Sequence, residues 1–216
     1  MGERSNRVEE CIERAEAEHA LCVSEPPRDY WVDDEGQLLK RVGGGFASAT
    51  NTQSAPHLAM HIIKYIEEGA LWNLELPYTN SASLKKGGFS WCGAFQAWCD
   101  RGLSEHIRRK VMLSTYRLWE FCRNTPRDIP LDEIQRGDLV IVGRKGGKKW
   151  GAHITRALEV TETHVHTIEG NGHGLLGDGR WGEGVVTRKR PFQGHGAEKE
   201  SVILFAYRFL DSDYED

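Results

Sequence analysis

The sequence predicts an α+β fold in which helices pack against a small antiparallel sheet. Apolar residues recur at helical spacing through the first part of the chain, then at strand spacing beyond Pro130. Helices first and short strands afterwards segregate into layers rather than alternating as βαβ units. At 216 residues the chain has material for one substantial core, and two full domains would be crowded.

The elements follow in order. Arg4 to Val23 reads as a charged helix with Val8, Ile12, Ala15, His19 and Cys22 or Val23 on one side, ended by Pro26-Pro27. Arg28 to Ser54 contains Gly43-Gly44-Gly45 and a polar run, which predicts a loop, so residues 1–54 form an N-terminal helix and loosely structured arm. Pro56 opens a second helix carrying His61, Tyr65 and Ile66, with Gly69 as its stop. A linker carries Pro77 to Gly88. Trp91 to Asp100 is the next helix, terminated by Gly102, and Met112 to Cys122 another, closed by Asn124 and Pro126. Pro130 to Gly137 is a turn region. Strands are expected at Asp138–Val142, Ala152–Val160, Thr163–Ile168, Gly184–Arg190 and Ser201–Phe209, before an acidic tail at 211–216.

Composition narrows the function. A net charge of -4 and a pI near 6.2 argue against non-specific nucleic-acid binding, which needs a basic surface. The one basic run, Arg144 to Lys149, reads as a solvated hairpin loop. Five cysteines, at 11, 22, 92, 99 and 122, lack the density of a disulfide scaffold, so a reducing compartment at folding is expected. Met1 to Cys22 is acidic and has no long apolar core, and no window resembles a membrane span. Synthesis in the cytoplasm without a signal peptide and no stable membrane insertion are the expectations.

Cys92 lies in Ser90-Trp91-Cys92-Gly93-Ala94-Phe95, after Gly87-Gly88 and at a helix start. A helix N-terminus presents unpaired amide hydrogens and partial positive charge, and both favour thiolate over thiol. Ser90 is placed to cap that helix. His153 and Glu169 follow, each at the edge of an apolar strand. A histidine beside an ionised thiol takes and returns a proton, and a third polar group holds the imidazole in the useful tautomer. The Cys92 amide would face the developing oxyanion. Each residue taken alone has a plainer reading: Cys92 as core, His153 as a strand histidine, Glu169 as a solvated strand end. Their order and settings favour catalysis.

Cys99, two turns on, reads as packing. His164 and His166 share one strand face, whereas Thr167 and Glu169 share the other, which argues against a common metal shell. A zinc site of Cys92, His153 and His166 lacks the close ligand spacing that would support it. Gly170-Asn171-Gly172-His173-Gly174 reads as a tight turn at a cleft rim, with Asn171 forming the turn or else assisting His153 or a substrate amide.

These motifs resemble the CHAP amidases/peptidases, within the papain-like group that includes the NlpC-related cell-wall hydrolases. The likeness runs from about Ala55 to Phe209. It rests on the helix before the nucleophile, Phe89 to Phe95, Arg136-Gly137-Asp138-Leu139-Val140, Gly151-Ala152-His153-Ile154 and Thr167-Ile168-Glu169-Gly170-Asn171, in the family's order. The resemblance implies a papain-like catalytic domain over 55–210, with Cys92 as nucleophile, His153 as base and later acid, Glu169 as the imidazole-orienting group and Asn171 as an auxiliary. It implies amide hydrolysis in peptidoglycan through a thioester, with no cofactor. The long region before the core and the basic run before His153 depart from common relatives. Without an export signal or wall anchor, the chain is expected to be a phage lysis enzyme or a secreted antibacterial effector, with an immunity protein or a secretion-machine component as partner, delivered with assistance to the periplasm or wall. A protein or small-amide substrate, or a catalytically silent wall-binding or interaction module, is the alternative.

Overall fold

Packing, more than intrinsic propensity, decides the helices. The structure, a computed structural model, describes residues 3–21, 30–32, 38–40, 61, 64–71, 91–144, 153–195 and 201–215. Helix α1 spans Glu3–Ala20 and buries Cys11, Ile12, Ala15 and Glu18, an i, i+1, i+4, i+7 stripe. Glu18, rather than the expected His19, completes that stripe. Its buried carboxylate is satisfied by Tyr65, whose hydroxyl donates at 2.5 Å, and by His61 Nδ1 at 2.7 Å. Tyr65–Gly69 is a π-helical turn ending at Gly69, as the sequence predicts; Pro56 lies outside the described residues.

Helix α2, Cys92–Cys99, is buried on every side. A helix apolar all round must sit inside the core, and α2 lies between α1 and the π-helical turn on one flank and the sheet on the other. Its single long polar side chain, Gln96, donates Nε2 to the Ile168 carbonyl at 3.1 Å. Helix α3, Thr115–Cys122, begins later than the periodicity suggests, because Ser114 caps it by accepting from the Arg117 amide. The preceding residues, Ile107–Val111, form a second π-helical turn that periodicity did not reveal.

Segment 28–54 was expected to be a loop. Within it, β1 (Tyr30–Val32) and β2 (Leu38–Lys40) pair as an antiparallel ribbon, and its other residues lie outside the described ones. The remaining strands are β3 (Asp128–Ile129), β4 (Leu139–Arg144), β5 (His153–Val160), β6 (His164–Leu175), β7 (Trp181–Pro191) and β8 (Ser201–Tyr207). They form one six-stranded sheet in the order β3-β8-β4-β5-β6-β7, every neighbouring pair antiparallel. The general architecture is therefore α+β, with helices packed on an antiparallel sheet. Alternation divides its residues: Leu139, Ile141 and Ile154 pack with the helices, while Val140, Val142, Ala157, Val165 and Ile203 form a cluster on the other face.

The predicted glycine-rich turn is corrected. Gly170 to Gly174 continues β6, and the pairing passes from Glu169↔Val186 to Gly172↔Gly184. Two residues, Gly170 and Asn171, thus oppose Val185 alone, a β-bulge in which Asn171 takes φ 57°. At the far end of the chain, Asp213 is buried against Arg127, whose Nε donates to it at 2.8 Å.

Candidate active site

The site assembles where the first residue of α2 meets the start of β5. The first intrahelical bond of α2 runs from the Phe95 amide to the Trp91 carbonyl, so the amides of Cys92, Gly93 and Ala94 precede the ladder. Trp91 occupies the cap position without a side-chain cap; Ser90 lies outside the described residues. Gly93 is required by its surroundings, since a Cβ there would run into the Met112 carbonyl and sit 3.2 Å from Ile154 Cδ1. Gly170 is required in the same way: its Cβ would lie 2.5 Å from Phe95 Cβ and 2.7 Å from the Trp91 ring. These two glycines let α2 seat directly on β5 and β6.

Arg156 fastens the same helix. It is buried, and donates from Nε to Gln96 Oε1 at 3.1 Å, from Nη1 to the Gly137 carbonyl at 3.0 Å and from Nη2 to Asp100 Oδ2 at 3.3 Å. Nothing in the sequence singled it out, because an arginine in a strand is ordinarily a solvated residue.

Strand register brings the next two groups together. β5 and β6 pair through Arg156↔Ile168, and continuing that register sets Glu169 opposite Thr155, with His153 two residues along on the same face. His153 Nε2 and Glu169 Oε2 are 3.1 Å apart. Cys92 acts on the same imidazole through its charge and a side-chain hydrogen bond. Cys92, His153 and Glu169, from α2, β5 and β6, are thus in one chain of contacts. The His153 side chain is 20% exposed and Cys92 5%, whereas Glu169 is fully buried.

Electrostatics follow from that chain. Burial works against an imidazolium at His153, but the charge and hydrogen bond of Cys92, followed by those of Glu169, overcome it and push the ring up to about 9. Burial alone would raise the Glu169 carboxyl. Hydrogen bonds and positive charge from His153 and Arg190 instead hold it well below the usual carboxylate range. Arg190, on β7, grips the carboxylate with both arms, Nε to Oε1 at 2.7 Å and Nη2 to Oε2. Thr167 Oγ1 lies 2.6 Å from Oε1 and 3.1 Å from the Arg188 carbonyl, two acceptors for its single hydrogen.

The other three described cysteines are Cys11, Cys99 and Cys122. Burial pushes Cys11 and Cys122 up to about 12 and raises Cys99 well above its ordinary value. Cys99 is fully buried in the core, as its position in the helix predicts. Cys22 lies outside the described residues.

Asn171 stands in the bulge just after Glu169, and its buried Oδ1 has no hydrogen-bond partner among the described residues. It does not hold His153. His166 points away from this group, with Nδ1 3.8 Å from Glu159 Oε2, so it does not join Cys92 and His153. Among the described residues no cluster of three or more His, Cys, Asp or Glu is arranged to hold a metal, and no helix is long and apolar enough to cross a membrane. The basic run from Lys145 to Lys149 lies outside the described residues.

Arg190 is the site residue that sequence reasoning missed. Alternation puts Arg188 and Arg190 on one strand face, but only the pairing of β6 with β7 makes that the face of Thr167 and Glu169. No family model matches the chain, and no curated protein or solved structure matches it either.

Proposed function

We propose that the chain is a cysteine-dependent amide hydrolase of the CHAP type, with a papain-like arrangement of helix and sheet, that cleaves an amide bond in peptidoglycan. The observation that carries the chemistry is the contact chain Cys92–His153–Glu169, built from three elements far apart in sequence. The wall as substrate is supported by the motif order from Phe89 to Asn171.

The reaction begins with attack of the Cys92 sulfur on the amide carbon. The carbonyl oxygen gains charge as the tetrahedral intermediate forms, beside the backbone amides at the start of α2. One such donor is worth roughly 3 kcal/mol of transition-state stabilisation. The His153 imidazolium then gives its proton to the leaving amine, the C–N bond breaks and a thioester remains. Neutral His153 takes a proton from water, whose oxygen attacks the thioester and releases the carboxylic acid and Cys92. Glu169 keeps Nε2 protonated throughout and holds the ring in plane.

Digestion of purified cell walls, with mass spectrometry of the released fragments, tests this reading and separates amidase from endopeptidase cleavage. Wild-type protein and Cys99→Ala release fragments, and Cys92→Ala does not. Intact walls of several types, with a folded and reduced protein, would defeat the wall substrate. Trapping of an acyl-enzyme on a peptide or small amide under those conditions would transfer the chemistry to that substrate.

A further inference from the structure

We infer that Arg190 is a positioning residue of this site, acting on Cys92 through Glu169 and His153, so that the working unit is a four-residue relay rather than a triad. The inference rests on the cysteine-hydrolase reading above and deepens it.

The argument starts from burial. Glu169 is fully buried and Arg190 is 5% exposed, so neither charge is stabilised by water. A buried carboxylate with no cation beside it takes up a proton. A protonated Glu169 would lose its attraction for an imidazolium and would present a donor where His153 needs an acceptor. His153 opposes this from one side, and Arg190 opposes it from the other with a two-pronged grip that also fixes the carboxylate plane; a guanidinium supplies that geometry where an ammonium cannot.

The charges then alternate along the contacts: Arg190 positive on β7, Glu169 negative on β6, His153 positive on β5 and Cys92 negative on α2. These are the groups whose charges and hydrogen bonds act on His153 and Glu169. The four sum to zero, so a thiolate–imidazolium pair is held in a buried place without leaving a net charge there. Each ion in the chain has an opposite neighbour, and removing the terminal cation unbalances all three that follow.

The first readout is Cys92 itself and needs no substrate; the second is turnover of the amide substrate. Alkylation by iodoacetamide is followed from pH 4 to 10, with peptide mapping to isolate Cys92 from the other cysteines. Wild-type protein should show a plateau of thiolate reactivity between an acid limb and the limb at which His153 loses its proton. Arg190→Lys keeps a charge but loses the fork. It should narrow that plateau by about one pH unit, within the range that a neighbouring charge moves a pKa. It should also cut kcat/KM about 10- to 100-fold, as loss of a partner that orients a histidine does elsewhere, with KM little changed. Glu169→Gln should narrow the plateau in the same direction. In the Glu169→Gln background, Arg190→Met should add less than about a twofold further loss, since the residue it acts through is already neutral. That double variant also avoids a stranded buried charge, so it should fold.

A plateau unchanged in a folded Arg190→Lys, or losses that multiply fully in the double variant, would overturn the role given to Arg190 and leave the triad standing. Wild-type Cys92 alkylated only above an ordinary thiol pKa of about 8.5 would overturn the Cys92–His153 pair itself, and this inference with it.

Discussion

Gly170→Ala tests how closely the nucleophile's helix depends on the strand that carries Glu169. An added Cβ would meet Phe95 Cβ at 2.5 Å, Phe95 Cγ at 2.6 Å and Trp91 Cζ3 at 2.7 Å, whereas ordinary contact begins at 3.4 Å. Rotating Phe95 relieves only its Cγ. The Cβ is fixed to the helix backbone, so α2 and β6 must separate. Overpacking of this kind costs about 1–3 kcal/mol, or a fall in Tm of roughly 2–4 °C per kcal/mol for a chain of this size. The same shift displaces Cys92 from His153, and a misplacement near 1 Å costs about 100-fold in rate. Urea unfolding followed by tryptophan fluorescence gives the stability, and iodoacetamide alkylation at pH 7 gives the state of Cys92. Gly102→Ala is the comparison, because the nearest atoms there belong to the Tyr214 ring, at 3.2 and 3.8 Å, and a side chain can move. If Gly170→Ala matched wild type within about 0.5 kcal/mol and alkylated at the same rate, the close seating of α2 on β6 would be refuted.

Three further outcomes are expected. Arg156→Met strands Asp100 in the core and should cost about 3–5 kcal/mol by urea unfolding, with much of the loss restored in Arg156→Met/Asp100→Leu; equal stability of the two variants would show that the pair is not coupled. Cys92→Ala removes the larger of the two partners that raise His153, so its imidazole should titrate well below about 9 by NMR, and an unchanged midpoint would show that the thiol does not touch the ring. Glu169 is held below its ordinary value of 4.5, so the stability it contributes is present above that pH and lost as pH falls. The stability gap between wild type and Glu169→Gln should therefore be widest near neutrality and close under acid, and a gap that grew under acid would reverse the assignment.

Much of this arrangement was legible in the sequence because it is local. Periodicity finds α1, α2 and most of the strands, since each must turn an apolar face inward. It fails where the backbone departs from a single period. The helix predicted through Tyr65 and Ile66 to Gly69 winds there as a π-helical turn, and Ile107–Val111 winds the same way where no element is predicted. It fails again at Gly170-Asn171, where glycine and asparagine signal a turn but the strand absorbs them as a bulge. Turn-forming residues report that φ is positive, and a bulge demands the same of Asn171 as a hairpin would.

The candidate site divides along the same line. Cys92 and His153 were legible because each begins an element, and Glu169 because glycine follows it, although β6 runs on past it to Leu175. Arg190 was not, because its role exists only once β6 and β7 are paired in register. A carboxylate placed in a dry strand interior must be matched by a cation from another strand, and no residue near Glu169 in sequence supplies one. The nearest in space is twenty-one positions on, beyond a turn. Glu169 draws on His153 within the triad and on Arg190 outside it, and the search for the second belongs to the fold rather than to the motif.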